Sequence, residues 1–190
     1  MAGKLDGLPV AFLVAAEGTE QVELTEPWDA VTREGGTPKL VSQQPGEAAL
    51  FNHLDRGRTW PVDVTLDQAR PEDYAALVLP GGVANPDQLR MDERAVDFVR
   101  GFVAAGKPIA VICHGPWTLV EADAVRGRTL TSYPSVRTDI RNAGGTWVDQ
   151  EVMVCDQGPN LLISSRNPND LQAFCRTLVD QFSRQTANAR

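Results

Sequence analysis

Histidine is scarce in this chain. Only His53 and His114 occur in 190 residues, and no pair of candidate ligands has zinc-type spacing, so a metal centre is not expected. Cysteine is almost as sparse. Cys113, Cys155 and Cys175 are too few and too widely spaced for a disulfide framework, and no Cys-x-x-Cys pair exists, which fits a reducing compartment. No run of apolar residues is long enough to span a bilayer, and Met1–Gly7 lacks the apolar stretch of a signal peptide. A cytoplasmic protein with no membrane contact is expected. Blocks of like charge are also missing. A net charge of −7 argues against a nucleic-acid partner, because phosphate binding needs clustered Lys and Arg, and implies mainly solubility.

What is present describes an ordinary globular domain. Hydrophobic residues make up 42% and charged residues 23% of the chain. A single domain over 1–190 is expected, with its core over about 9–182 and a frayed polar tail over 183–190. Pro9–Val14, Ala75–Leu79 and Pro108–Ile112 read as short buried strands, and Pro38–Val41 as another. Leu24, Trp28 and Val31 recur at helical spacing, as do Val96, Val99 and Val103 in a helix over about 92–105. A short helix is expected around Val136–Asn142. Val152–Val154 and Leu161–Ile163 look like paired strands. Leu171, Phe174, Cys175, Leu178, Val179 and Phe182 mark a final amphipathic helix. Residues 43–59, rich in Gly, Gln, Asn, Asp and Arg, read as a long surface loop whose Leu50, Phe51 and Trp60 could support self-association. Buried strands alternating with amphipathic helices predict an α/β sandwich with a parallel sheet.

Ligands of open parallel sheets sit at the carboxyl ends of the strands. Three segments of chemical interest fall there: Glu17–Glu20, Pro80–Asn85 and Cys113–Pro116. Cys113 follows a buried strand and precedes His114-Gly115-Pro116, the arrangement of a nucleophile on a tight strand-to-helix turn. A helix start beside it favours a thiolate of lowered pKa. A buried structural cysteine is the alternative. His114, as the adjacent residue, can meet the sulfur only through an unusual backbone turn. Gly81-Gly82 can bring backbone N–H groups to a substrate oxygen, or can simply make a tight turn. A carboxyl beside the thiolate must be protonated to be tolerated, and Glu17, Glu20, Glu23 and Glu26 are all available. Cys175 lies on the apolar face of the last helix, Cys155 ends a strand, and His53 has no assigned role.

Ala110-Val111-Ile112-Cys113-His114-Gly115-Pro116 resembles the nucleophile motif of the PfpI-type intracellular proteases, members of the parkinsonism-associated deglycase superfamily related to class I glutamine amidotransferases. Glu20–Leu24, Leu79–Gly82, Gly106–Pro108, Arg126–Arg128, Thr131–Pro134 and Asn142–Asp149 add to the resemblance, which spans about residues 9–182. It implies a flavodoxin-like three-layer α/β sandwich with a mostly parallel central sheet. It implies Cys113 as nucleophile, His114 as its partner and Glu20 as the carboxyl at the sulfur. Gly81 and Gly82, with the His114 backbone, stand where oxyanion donors are proposed, and Tyr133 falls in the substrate-binding set. Asp87 stands in the segment where peptidase members carry a histidine-orienting glutamate, supplied there by a neighbouring subunit. No cofactor is implied. The family suggests a homodimer, or dimers stacked into a hexamer.

The activity implied is that of a stress-protection cysteine hydrolase. It would act on peptides, or as a glyoxalase or deglycase on methylglyoxal and its adducts, and both routes begin with sulfur attack on a carbonyl carbon. A cysteine-based oxidative-stress sensor or protective chaperone is the alternative, with Cys113 oxidised ahead of Cys155 and Cys175. A glutamine amidotransferase triad is excluded, because no histidine follows His114.

Overall fold

The structure, a computed structural model, describes residues 3–188. In chain order the elements are β1 (Pro9–Val14), β2 (Glu17–Glu20), α1 (Gln21–Arg33), β3 (Thr37–Ser42), β4 (Glu47–Asn52), β5 (Asp55–Pro61), β6 (Val64–Thr65), β7 (Ala76–Leu79), α2 (Ala84–Leu89) and α3 (Glu93–Ala104). There follow β8 (Ile109–Ile112), α4 (Pro116–Glu121), β9 (Thr129–Leu130), α5 (Arg137–Asn142), β10 (Thr146–Trp147), β11 (Met153–Cys155), β12 (Leu162–Ser165) and α6 (Leu171–Asn188). Seven strands form the main sheet in the order β11-β12-β8-β7-β1-β3-β6. Every pairing in it is parallel except β11 with β12.

The period-2 geometry of β1 splits its side chains between two cores. Ala11 and Leu13 pack with Val96, Val99 and Phe102 of α3 and Leu119 of α4. Val10, Phe12 and Val14 pack with Leu24 and Val31 of α1 and with Phe174, Leu178 and Phe182 of α6. Each such fully buried Leu or Phe contributes roughly 1.5–3 kcal/mol. The result is a three-layer α/β sandwich with helices on both faces of a mostly parallel sheet. β3 flanks β1 on one side and β7 on the other, so the chain reverses its direction of sheet growth there. A crevice opens at the carboxyl ends of such strands. Among the described residues, no helix is long and apolar enough to cross a membrane.

One expectation is corrected. Residues 47–61 are a hairpin, not a loop: β4 pairs parallel with β2 and antiparallel with β5. Its Leu50 is fully buried, and Trp60 lies 5.3 Å from Trp28 in edge contact. The hairpin escapes sequence reading because β5 is largely exposed and carries no apolar alternation. At the other end, 183–188 are helical as part of α6, and 189–190 of the expected tail lie outside the described residues.

Candidate active site

β8 is buried throughout and delivers Cys113 to the end of the sheet. There the backbone turns sharply, with φ of +64° at Cys113. The left-handed region costs a non-glycine residue roughly 1–2 kcal/mol. The conformation is held from both sides: the Cys113 N–H donates to the Ser165 carbonyl at 3.1 Å, and its carbonyl accepts from the Tyr133 N–H at 2.9 Å. Gly115 lets the turn close, since a Cβ there would lie 2.9 Å from both the Ile112 and Leu79 carbonyl oxygens. This is the unusual turn that adjacent residues need. It sets Cys113 Sγ 3.1 Å from His114 Nδ1.

His114 is held on three sides. Its ring stacks on Tyr133 at 4.5 Å and meets Trp117 edge-on at 5.2 Å, while Nε2 lies 3.2 Å from Ser135 Oγ. Burial lowers its pKa, so the imidazole is neutral near pH 7. A neutral ring that donates from Nε2 to Ser135 turns the lone pair of Nδ1 toward the thiol.

The carboxyl at the sulfur belongs to Glu23, not Glu20. Glu23 is fully buried in the first turn of α1; its Oε2 accepts the Gly81 N–H at 2.8 Å, and its carboxyl lies beside Cys113, with both packed against Gly81. Its Oε1 receives no hydrogen bond. Burial pushes the Glu23 carboxyl up to about 8, so it carries a proton at neutral pH and can donate it toward sulfur. Glu20 ends β2 and is drawn to the neighbouring hairpin, where its Oε2 accepts the His53 N–H at 3.0 Å.

The expected lowering of the Cys113 thiol is also corrected. Burial, then the charge of an ionised Glu23, pushes it up, while hydrogen bonds from the Gly82 and His114 N–H groups pull it down, and the upward causes win. The resting pair is therefore neutral thiol and neutral imidazole, with His114 placed to take the proton when the sulfur reacts. Protonation of Glu23 removes its repulsion and adds a donor to the sulfur.

Of the glycine pair, Gly81 has its N–H committed to Glu23, whereas the Gly82 N–H lies between Glu23 and the sulfur. Gly82 has φ of +84°, and a Cβ there would overlap the Gly18 carbonyl oxygen. Buried Asn85 pins this turn: Oδ1 accepts the Ala15 N–H at 2.7 Å, and Nδ2 donates to the Pro80 and Gly81 carbonyls at 3.0 Å each. A cavity of about 700 Å³ opens over Cys113 and His114, with Glu17, Glu20, His53, Leu54, Asp87 and Tyr133 in its wall. Asp87 is exposed on α2, and within this chain it is Ser135, not Asp87, that faces the far nitrogen of His114. Glu23, Asn85 and Ser135 are the site residues that sequence reasoning missed. Glu23 stood among four interchangeable glutamates, and Ser135 directly follows the Thr131–Pro134 motif. Asn85 closed the Pro80–Asn85 segment, but nothing local marked its side chain as the tie to Ala15. Among the described residues, no group of three or more His, Cys, Asp or Glu could hold a metal ion.

Residues 9–181 match the DJ-1/PfpI family. Deglycase PH1704 of Pyrococcus horikoshii is 42% identical over 172 residues, covering 90% of this chain and 98% of that protein. Protein/nucleic acid deglycase 2 of Escherichia coli is 40% identical over 167 residues, 88% of this chain and 93% of that protein. The crystal structure of Drosophila melanogaster DJ-1beta superposes with a TM-score of 0.80 at 26% identity, covering 93% of this chain and 91% of that one.

Proposed function

Because the chain belongs to the DJ-1/PfpI family, we propose that it is a cofactor-independent cysteine hydrolase of the deglycase and glyoxalase kind, with Cys113 as nucleophile toward small carbonyl compounds. The observation that carries this reading is the 3.1 Å contact between Cys113 Sγ and His114 Nδ1 in the wall of a cavity of about 700 Å³. That volume suits a small molecule, and a peptidase would need an extended cleft.

In the proposed reaction His114 Nδ1 takes the thiol proton as the sulfur–carbon bond forms. The carbonyl electron pair moves to oxygen beside the N–H groups of Gly82 and His114. The imidazolium returns its proton to that oxygen, giving a hemithioacetal. Glu23, protonated, stabilises the sulfur whenever it bears charge. Ser135 holds the imidazole in the tautomer that the first step needs.

The test is a direct assay. Consumption of methylglyoxal and recovery of free amine from methylglyoxal-treated N-acetyl-lysine are measured alongside cleavage of fluorogenic peptides. Cys113→Ala is expected to lower the carbonyl activities by about a thousandfold or more. A Cys113→Ala protein that keeps the wild-type rate rejects the assignment, and peptide cleavage without carbonyl turnover rejects the substrate class.

A further inference from the structure

Cys155 sits in a setting unlike that of the other two cysteines. It ends β11, is 3% exposed, and lies beneath the exposed turn over residues 156–159. Its sulfur accepts hydrogen bonds from Arg128 Nε at 3.5 Å and from the Thr129 N–H at 3.4 Å. Arg128 is also only 3% exposed. The rest of its guanidinium donates to Asn160 Oδ1 at 3.0 Å, the Asn160 carbonyl at 2.6 Å and the Cys155 carbonyl at 3.2 Å. None of these partners is a carboxylate. A buried cation without a counter-charge costs several kcal/mol. Among the described residues, the one ionisable group that the guanidinium contacts is the Cys155 sulfur.

We propose that Cys155 is a second thiolate, ion-paired with Arg128, and that it is a modification site for small hydroperoxides, separate from the Cys113 cavity. Burial pushes the Cys155 thiol up, yet hydrogen bonds from Arg128, Thr129 and Gln157, with the Arg128 charge, carry it below its ordinary value. Cys175 behaves in the opposite way, pushed up to about 12 by burial and by Glu26. The turn beside Cys155 fits closely against Arg128. Gly158 has φ of +140°, and a Cβ there would lie within 2.8–2.9 Å of Arg128 Cδ, Nε and Cζ, so only glycine lets the turn close on the guanidinium.

The chemistry is a two-electron displacement. The thiolate attacks one peroxide oxygen, a sulfur–oxygen bond forms and the oxygen–oxygen bond breaks. Sulfur is oxidised to sulfenic acid after taking a proton, and the peroxide is reduced to hydroxide or alkoxide, which is protonated by water. The competing arrangement is a protonated sulfur whose hydrogen points at the Gln157 carbonyl, 3.6 Å away.

The full chain carrying Cys113→Ser and Cys175→Ser leaves Cys155 as the one thiol. Its thiolate absorbance at about 240 nm is followed against pH, and oxygen addition localised to Cys155 by fragment masses, apart from the methionines, is followed during hydrogen peroxide treatment at neutral pH. The expected results are a titration midpoint below the free-cysteine value of about 8.5 and a gain of one oxygen mass. Arg128→Lys, which keeps the charge, should preserve the low midpoint, and Arg128→Met should cut the thiolate fraction at neutral pH by about tenfold or more. A midpoint at or above the free value overturns the ion pair. No mass gain, under peroxide that oxidises the same chain in urea, overturns the modification site. Should Arg128→Met fail to fold, the titration and the oxidation of the parent chain decide alone.

Discussion

Cys113 and His114 are sequence neighbours, and in a regular strand their side chains would point to opposite faces. The positive φ at Cys113 is what brings them within 3.1 Å of each other. The next requirement is that the imidazole present the correct nitrogen, and this falls to Ser135. A neutral hydrogen bond is worth about 0.5–1.5 kcal/mol, so Ser135→Ala should lower kcat by roughly 2- to 12-fold with little change in KM. Ser135→Thr should recover most of the loss. The nitrogen-15 shifts of His114 should report one tautomer, protonated at Nε2, in the parent protein and a mixture in Ser135→Ala. An unchanged tautomer with a reduced rate would show that Ser135 acts only through packing. The nucleophile and its partner were legible in the sequence because buried strand, cysteine, histidine and Gly-Pro are contiguous. The carboxyl was not, since choosing Glu23 over Glu20 depends on where β2 ends and α1 begins, a boundary of one residue.

The elements of the sheet and its covering helices were legible for the same reason that they are stable. β1, β7 and β8 are short uninterrupted apolar runs, and α3 and α6 carry apolar stripes at helical period. The hairpin of β4 and β5 was not, because a strand exposed on its outer edge needs no alternation. Connections at the site show the same division. Asn85 lies in α2, only four residues past Gly81, yet it is tied to Ala15 at the end of β1, seventy positions earlier. Replacing it with Ala orphans one buried N–H and removes the donor from two carbonyls. At about 1–3 kcal/mol for an orphaned buried group, Asn85→Ala should lower the free energy of unfolding by about 2–4 kcal/mol. Urea denaturation with an unchanged m-value is the measurement. Because the same side chain fixes the Gly81-Gly82 turn, carbonyl turnover should fall as well. A loss below about 0.5 kcal/mol would mean that water replaces the amide at no cost.

For the molecule as a whole, the buried Glu23 sets a pH dependence of stability with a definite sign. Its folded value of about 8 lies above the ordinary 4.5. Between those two values the folded chain holds a proton that the unfolded chain has released, so stability falls as pH rises, and the trend levels off above about 8. At about 1.4 kcal/mol per pH unit, the decline across the window is on the order of 4–5 kcal/mol. Other groups act in the opposite sense. Asp92, held by Arg94 at about 2, adds stability that is lost only as pH falls through its own low range. Neutral, buried His114 makes stability rise with pH as the unfolded histidine gives up its proton. Glu23→Gln leaves both of those in place and removes only the carboxyl, so the difference between variant and parent isolates Glu23. Urea midpoints measured from pH 5 to pH 8 should therefore shift progressively in favour of Glu23→Gln. Parallel curves for the two proteins would mean that Glu23 is ionised in the fold throughout, and the protonated donor beside Cys113 would have to be abandoned with it.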